Sequence, residues 1–441
     1  MSKPWVYCCY IVVALLVYLN YSLLRLRGIK VSGKNDMMYP PLLDKRRQLT
    51  RAYTVTYETG RSCCNALLCP IEGRWDLKQN TTIQDLNRVE SINMELRTLK
   101  GWPAQLFHGD SRCGTMYPLP RLIRQQHSKK ELYLQDVISQ CNSFSHSPCC
   151  RDDIGWCGSG DFFCQCDRCF NYNNIVHTEL YNWKHKMNCM NVKLEKKETC
   201  DFLAGQYTSV SFIGDSLVRH VFSSLLIRLT ENPESGALKS TLSRQEKLYC
   251  SHDNQFVDSS CHSKLSTEWT DVKSHTDYCN TSTSKPKVVF VQAYATHLTE
   301  LALRHINEKL SEQRPLIFVG IGIHDNFDHE KVIAQYLSPI VQLRNERAGY
   351  SNPILVWLNT HAAGQLKPIG YQKTQGNARI VAFNTELREY CRRNSVYVFD
   401  TYNMTQGVHS FDGTHYGQAL NKLKVDLLVN SLEMLSRTPN W

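Results

Sequence analysis

The spacing of apolar and polar positions changes near Tyr207. From there to the C-terminus, short apolar runs alternate with amphipathic stretches. TSVSFIG, ending at Gly214, reads as a strand; LVRHVFSSLLIRL follows with Val218, Val221, Phe222, Leu225 and Leu229 on one helical face. After an insert from about Glu231 to Lys285 come the strand KVVFVQAY, a helix from about His297 and the strand PLIFVGIG. The pattern continues with a helix from about His329, the strand PILVWLNT, a helix around Asn384 to Arg393 and the strand VYVFD. A last helix from near Tyr416 is expected to bury Leu420, Leu423, Leu427, Leu428 and Leu435. Strands alternating with helices predict a parallel sheet covered on both faces. The fold class expected for residues 207–441 is therefore three-layer α/β/α, about 230 residues around one core.

Before Tyr207 the texture differs. Trp5 to Leu24 carries no formal charge, is long enough to cross a bilayer core, and has Trp5, Tyr7, Tyr18 and Tyr21 near its ends. Its length and the lack of a small-x-small site after it favour an uncleaved anchor over a signal peptide. The expected organisation is a cytosolic tail at 1–4, a transmembrane anchor at 5–24, a stem at 25–62 and a cysteine-rich region at 63–206. Arg25, Arg27 and Lys30 follow the span, which by the positive-inside rule alone would leave the body in the cytosol.

The cysteines reverse that orientation. Two of 19 fall in the span and 17 beyond it, most of them between Cys63 and Cys200, as in a disulfide framework formed in an oxidising lumen. Asn80-Thr-Thr, Asn280-Thr-Ser and Asn403-Met-Thr are glycosylation sequons and agree with a lumenal body. The reading is a single-pass type II protein of the Golgi or another secretory-pathway membrane. Cys164, Cys166 and Cys169 invite a zinc reading, but no second C-x2-C pair follows, so disulfides are expected and no metal. Their pairing is not deducible, and the odd count leaves at least one thiol outside an intramolecular bridge. The net charge of +10 is spread along the chain rather than gathered in a stripe, which argues against a nucleic-acid partner. It fits an acidic glycan equally well, without choosing it.

Ligands of such a sheet bind outside the carboxyl ends of its strands. Four polar clusters fall there: Gly214-Asp215-Ser216, Gly322 to Asn326, Asn359-Thr360-His361, and Asp400 to His415. Ser216 stands where a strand turns into a helix, exposed and with its N–H at the positive end of the helix dipole. The plain alternative is a helix cap. Asp412 and His415, three apart before the last helix, supply the base that a weak hydroxyl nucleophile needs and a group to orient that base. Alternatively, Asp412 caps a turn and His415 is a surface residue. A second Gly-Asp-Ser, ending at Ser111, follows no clear strand and precedes Cys113 and Gly114, and reads as loop.

FIGDSLVRH, GIGIHDNF and FDGTHY together resemble the PC-esterase branch of the SGNH, or GDSL-type, hydrolase superfamily. That branch includes the trichome-birefringence-like polysaccharide O-acetyltransferases and the neurexophilin-and-PC-esterase proteins. The likeness covers about Tyr207 to Leu435. It implies Ser216 as nucleophile, His415 as base and Asp412 as orienter. Two departures stand out: no glycine follows the second strand, and His324 replaces the asparagine of the G-x-N-D block. His324 is then a candidate oxyanion donor, or a structural histidine. Gly322 and Asn326 flank it, and Arg219, one turn beyond Ser216, either holds an acyl or glycan group or is an ordinary helix residue.

Triad chemistry gives an acyl-enzyme, which a sugar hydroxyl or water then relieves. Anchored lumenal topology and the resemblance favour an O-acetyltransferase acting on glycan hydroxyls. A carbohydrate O-acetyl esterase is the alternative, and a non-catalytic disulfide-rich binding protein on the same fold is a third. No bound cofactor is expected. A transferase needs an acetyl donor, either acetyl-CoA or an acetyl group relayed by a partner protein, because one span gives acetyl-CoA no route into the lumen.

Overall fold

The computed structural model describes residues 176–185 and, with short gaps, 194–437, together with Leu67, most of 71–92 and a few short strands between 139 and 170. The expected tail, anchor and stem, Ser111, and most of the cysteines from Cys63 to Cys189 lie outside the residues so described; of that group only Cys150, Cys157 and Cys169 fall in described strands. Among the described residues no helix is long and apolar enough to cross a membrane.

Strands β1 (Gly73–Leu77) and β2 (Tyr181–His185) form an antiparallel pair, with Trp75 opposite Trp183. Helix α1 (Lys196–Gln206) then leads into β3 (Val210–Gly214) and α2 (Ser216–Thr230). The remaining main elements are β4 (Val288–Val291), α3 (Thr299–Lys309), β5 (Leu316–Gly320), α4 (Ser338–Arg347), β6 (Ile354–Leu358), α5 (Asn377–Arg393), β7 (Tyr397–Phe399) and α6 (Gln418–Ser436). The five strands β3 to β7 form one sheet in the order β7-β6-β5-β3-β4, every neighbouring pair parallel. The α/β class with a parallel sheet is therefore as expected.

Side-chain alternation along the strands divides the core in two. Val210, Phe212, Phe290, Phe318 and Val356 face α2, α6 and the insert, whereas Ile213, Ile317, Val319, Leu355 and Trp357 face α3, α4 and α5. Both sets are buried, so each strand reads as a continuous apolar run. From β3 the chain first moves to the β4 edge, then returns across β3 to build β5, β6 and β7 on its other side. The direction of winding reverses between β3 and β5, which opens a crevice at their carboxyl ends.

Two elements differ from the expectation. Helix α2 is buried on all sides from Val218 to Thr230, not on one face. The insert, pinned by the Cys250–Cys261 disulfide, packs on its outer side, and the Cys200–Cys279 disulfide ties the end of the insert to α1. Helix α5 begins at Asn377 rather than near Asn384, and buries Ile380, Phe383, Leu387 and Cys391 at helical spacing. Cys391 is a free buried thiol.

Gly214 and Gly320 are register partners at the crevice. A methyl group on Gly214 would run into the Gly320 carbonyl and stand 2.7 Å from Val218 Cγ2. We predict that Gly214→Ala lowers stability by about 3 kcal/mol or more. Gly205, exposed in α1 with nothing within 4 Å of its would-be Cβ, is the contrasting site. There, Gly205→Ala raises stability by roughly 0.5–1 kcal/mol. Urea midpoints of the two variants check both signs.

Candidate active site

The crevice between β3 and β5 is where the candidate residues converge. Asp215 is the N-cap of α2, its Oδ1 accepting the Leu217 N–H at 2.9 Å. The cap forces the chain to turn sharply after Gly214 and sets Ser216 at the first helical position. The Ser216 N–H is one of the four at a helix start without an intrahelical acceptor, and it lies at the positive end of the dipole. Ser216 therefore does not cap the helix; Asp215 does.

On the far side of the crevice, Phe411 to Tyr416 folds into a compact loop. Asp412 Oδ1 accepts the N–H groups of Thr414 at 2.9 Å and His415 at 2.7 Å, while Gly413 takes the left-handed conformation (φ 76°) that the turn requires. The same turn brings Asp412 Oδ2 to 2.7 Å from His415 Nδ1. A carboxylate only accepts, so Nδ1 carries the proton and Nε2 is left as an acceptor. That Nε2 stands 2.8 Å from Ser216 Oγ, whose hydroxyl donates to it. Residues 199 apart in sequence thus complete a serine–histidine–aspartate relay, all three partly open to solvent. Such a relay can lift a proton from an attacking hydroxyl and hold the imidazolium that results.

The other candidates fall around this centre. His324 lies exposed on the loop after β5, its ring 4.9 Å from that of Tyr294 at the end of β4. Partial burial of its ring lowers its pKa and so favours the neutral imidazole. Asp325 beside it points inward and accepts Thr296 N at 3.0 Å, Thr296 Oγ1 at 2.8 Å and Lys331 Nζ at 2.6 Å. Burial pushes its carboxyl up, but these hydrogen bonds outweigh that and hold it below the usual range. Asp325 thus ties the loops after β4 and β5 together and aims the rim that carries His324. At Gly322, a side chain would meet the Phe327 ring 2.8 Å away. Exposed Asn326 adopts the left-handed conformation at that rim (φ 51°), with Gln375 Nε2 donating to its Oδ1 at 3.3 Å.

Arg219 is buried beneath the insert. Its Nη2 donates to His262 Nε2 at 3.0 Å, and burial pushes its pKa down to about 10. All three sequon residues, Asn80, Asn280 and Asn403, are exposed.

Three further polar residues lie near the relay. The His220 ring lies 5.0 Å from that of His415; it is fully buried, its pKa is pushed well below the ordinary value by desolvation, and neither ring nitrogen has a hydrogen-bond partner among the described residues. Lys424 is 2% exposed, on the face of α6 where leucine spacing had placed Leu423, and burial pushes its pKa down to about 7. Asp253, from the insert, caps α6 by accepting the Gln418 N–H at 2.6 Å. Because that cap comes from more than 160 residues upstream, local sequence carries no signal of it. Behind Ser216 lies a small cavity of about 30 Å³, lined in part by Asp215, Asn359, His361 and Lys424. Among the described residues no cluster of three or more metal-ligating side chains occurs.

No protein-family model matches the chain, and no curated protein matches it. Among solved structures it is similar to a member of the lipolytic protein G-D-S-L family from Veillonella parvula, at 12% identity and a TM-score of 0.28, over 52% of this chain and 99% of that one. A likeness at that level carries no argument, and the chemistry rests on the geometry of the site.

Asp215 is 3% exposed, and burial raises its pKa from 3.8 to about 6 despite the backbone N–H groups and nearby cations that favour the charged form. The folded state therefore holds this proton more tightly than the unfolded chain does. The associated stability is complete below the unfolded value and is lost as pH rises through about 6. Asparagine caps a helix equally well without titrating. We predict that Asp215→Asn is more stable than the parent above pH 7, by up to about 3 kcal/mol, with the advantage vanishing below pH 4. Urea unfolding at a series of pH values measures the difference.

Proposed function

We propose that the chain is a serine-dependent acyl-transferring enzyme of the SGNH type, most closely like the PC-esterase branch. The observation that carries the proposal is the Ser216–His415–Asp412 relay at the point where the sheet reverses its winding. Ser216 attacks an acyl carbonyl as His415 Nε2 takes the hydroxyl proton. Asp412 holds the imidazole and stabilises its positive charge. The tetrahedral oxyanion is met by the Ser216 N–H and by His324. The histidinium then gives its proton to the departing alcohol or thiol, leaving an acyl group on Ser216. A glycan hydroxyl gives its proton to His415 and attacks that ester; as the bond from Ser216 Oγ to the acyl carbon breaks, His415 returns the proton to Ser216 and the acyl group leaves on the glycan.

We take the acyl group to be acetyl and the acceptor to be a glycan in the lumen of the Golgi or another secretory compartment. The body would be held there by the anchor at 5–24. The exposed sequon asparagines and the Cys200–Cys279 and Cys250–Cys261 disulfides support a lumenal site. The donor is acetyl-CoA or an acetyl group handed on by a partner protein. The buried Arg219, already engaged by His262, acts in this reading as a wall of the site rather than as an open glycan ligand.

A fluorophosphonate probe on the purified full-length chain tests the nucleophile. Labelling is expected in the parent and in Ser111→Ala and lost in Ser216→Ala, with Asp412→Asn slowing it by a factor on the order of 10³–10⁴. A parent protein that is folded yet never labelled overturns the reading and leaves a binding protein on this fold. Mass spectrometry of glycans from cells lacking the protein tests the direction of transfer. Glycan acetylation is expected to fall; a rise would make the protein an esterase instead.

A further inference from the structure

We infer that Lys424 and His361 form a buried relay that fixes the position of His415 from behind the site. Lys424 Nζ lies 2.8 Å from His361 Nδ1, and His361 Nε2 lies 2.7 Å from the carbonyl oxygen of Thr414. Thr414 immediately precedes His415. A carbonyl only accepts, so the Nε2 of His361 carries a proton and donates it there. Nδ1 of the neutral ring then accepts from Lys424, whose Nζ is a donor with or without its charge. Lys424 thereby selects the His361 tautomer, much as Asp412 selects that of His415.

The consequence lies in one peptide unit. The Thr414–His415 peptide is held at its carbonyl by His361 and at its N–H by Asp412 Oδ1, 2.7 Å away. Fixing both ends of that peptide sets the direction in which the His415 side chain leaves the backbone, and so the approach of Nε2 to Ser216. Tyr416 completes the clamp. Its hydroxyl donates to the carbonyls of Ala362 and Thr405, its ring packs edge-on at 4.8 Å from that of His361, and Lys424 Nζ lies 5.4 Å from its centroid. His361 comes from the loop after β6 and Lys424 from the second turn of α6. The relay therefore ties the loop carrying Asp412 and His415 to the segment that leaves β6 and to α6. Neither residue touches the reacting atoms; both are positioning residues. A buried lysine with no carboxylate at hydrogen-bond distance among the described residues is costly to keep for packing alone, and orientation of this peptide accounts for it.

The inference rests on reading Ser216 and His415 as nucleophile and base, and the experiment separates the two. In the full-length chain labelled with ¹⁵N-histidine, His361 is expected to show a protonated Nε2 and an accepting Nδ1. The opposite tautomer overturns the relay, whatever the protein catalyses. Fluorophosphonate labelling of Ser216 then gives its effect. His361→Leu is expected to slow labelling by a factor on the order of 10–100, and Lys424→Met by less. His361→Gln, which keeps an N–H aimed at Thr414, is expected to recover the rate to within a few-fold of the parent. Equal rates for the Leu and Gln variants would show a packing role only and overturn the inference. If the Leu variant does not fold, the Gln variant and the parent spectrum decide it: a Gln variant that is folded and a hundredfold slow would also count against it. A parent that is never labelled sinks the serine reading while leaving the tautomer measurement to stand.

Discussion

The close approach of β3 and β5 is the constraint from which the site follows. Two glycines, Gly214 and Gly320, face each other in register where the strands end, and no side chain fits between them. The chain can then turn at once into α2, capped by Asp215, and Ser216 emerges at the lip of the crevice rather than above a packed strand end. Wider spacing there would move the serine away from a loop that comes from the other end of the domain. The 2.8 Å contact between Ser216 and His415 thus depends on atoms that glycine does not have.

Electrostatics behind the lip runs against ordinary packing. Asp215, Arg219, His220 and Lys424 are all buried within the same layer, and desolvation moves each toward its neutral form. Buried polar groups are tolerated where each fixes a geometry. Asp215 caps α2, Arg219 grips the insert through His262, and Lys424 reaches the His415 loop through His361. His220 is the exception, since its ring packs between Phe256 and His415 with both nitrogens unpartnered among the described residues.

What could be read from sequence follows the physics of range. Strand alternation and the strand–turn–helix around Ser216 are local, and Asp412 and His415 are three residues apart, so their placement at the carboxyl ends of the strands is legible. The start of α5 was not: Ile380 and Val381 are β-branched, and the polar lead from Gln375 to Asn377 hides the 3.6-residue period that Ile380, Phe383 and Leu387 reveal in three dimensions. Leucine spacing predicts Leu423 on the buried stripe of α6, but the stripe runs through Leu420, Lys424, Leu427 and Leu428 and leaves Leu423 half-buried. The cap on α6 by Asp253 and the cover on α2 by the insert are long-range contacts, and no window of local sequence contains both partners.

The complete burial of α2 has a consequence for how such a protein diversifies. A serine mounted on a helix enclosed on every side cannot be re-aimed by small substitutions, because each would disturb the core before it moved the hydroxyl. The rim has no such restraint. Residues around His262, on the disulfide-pinned insert, and around His324 and Asn326, after β5, lie on short segments with exposed neighbours. Substitutions that reshape the mouth of the crevice are therefore tolerated at those two rims more readily than along the helix that carries Ser216.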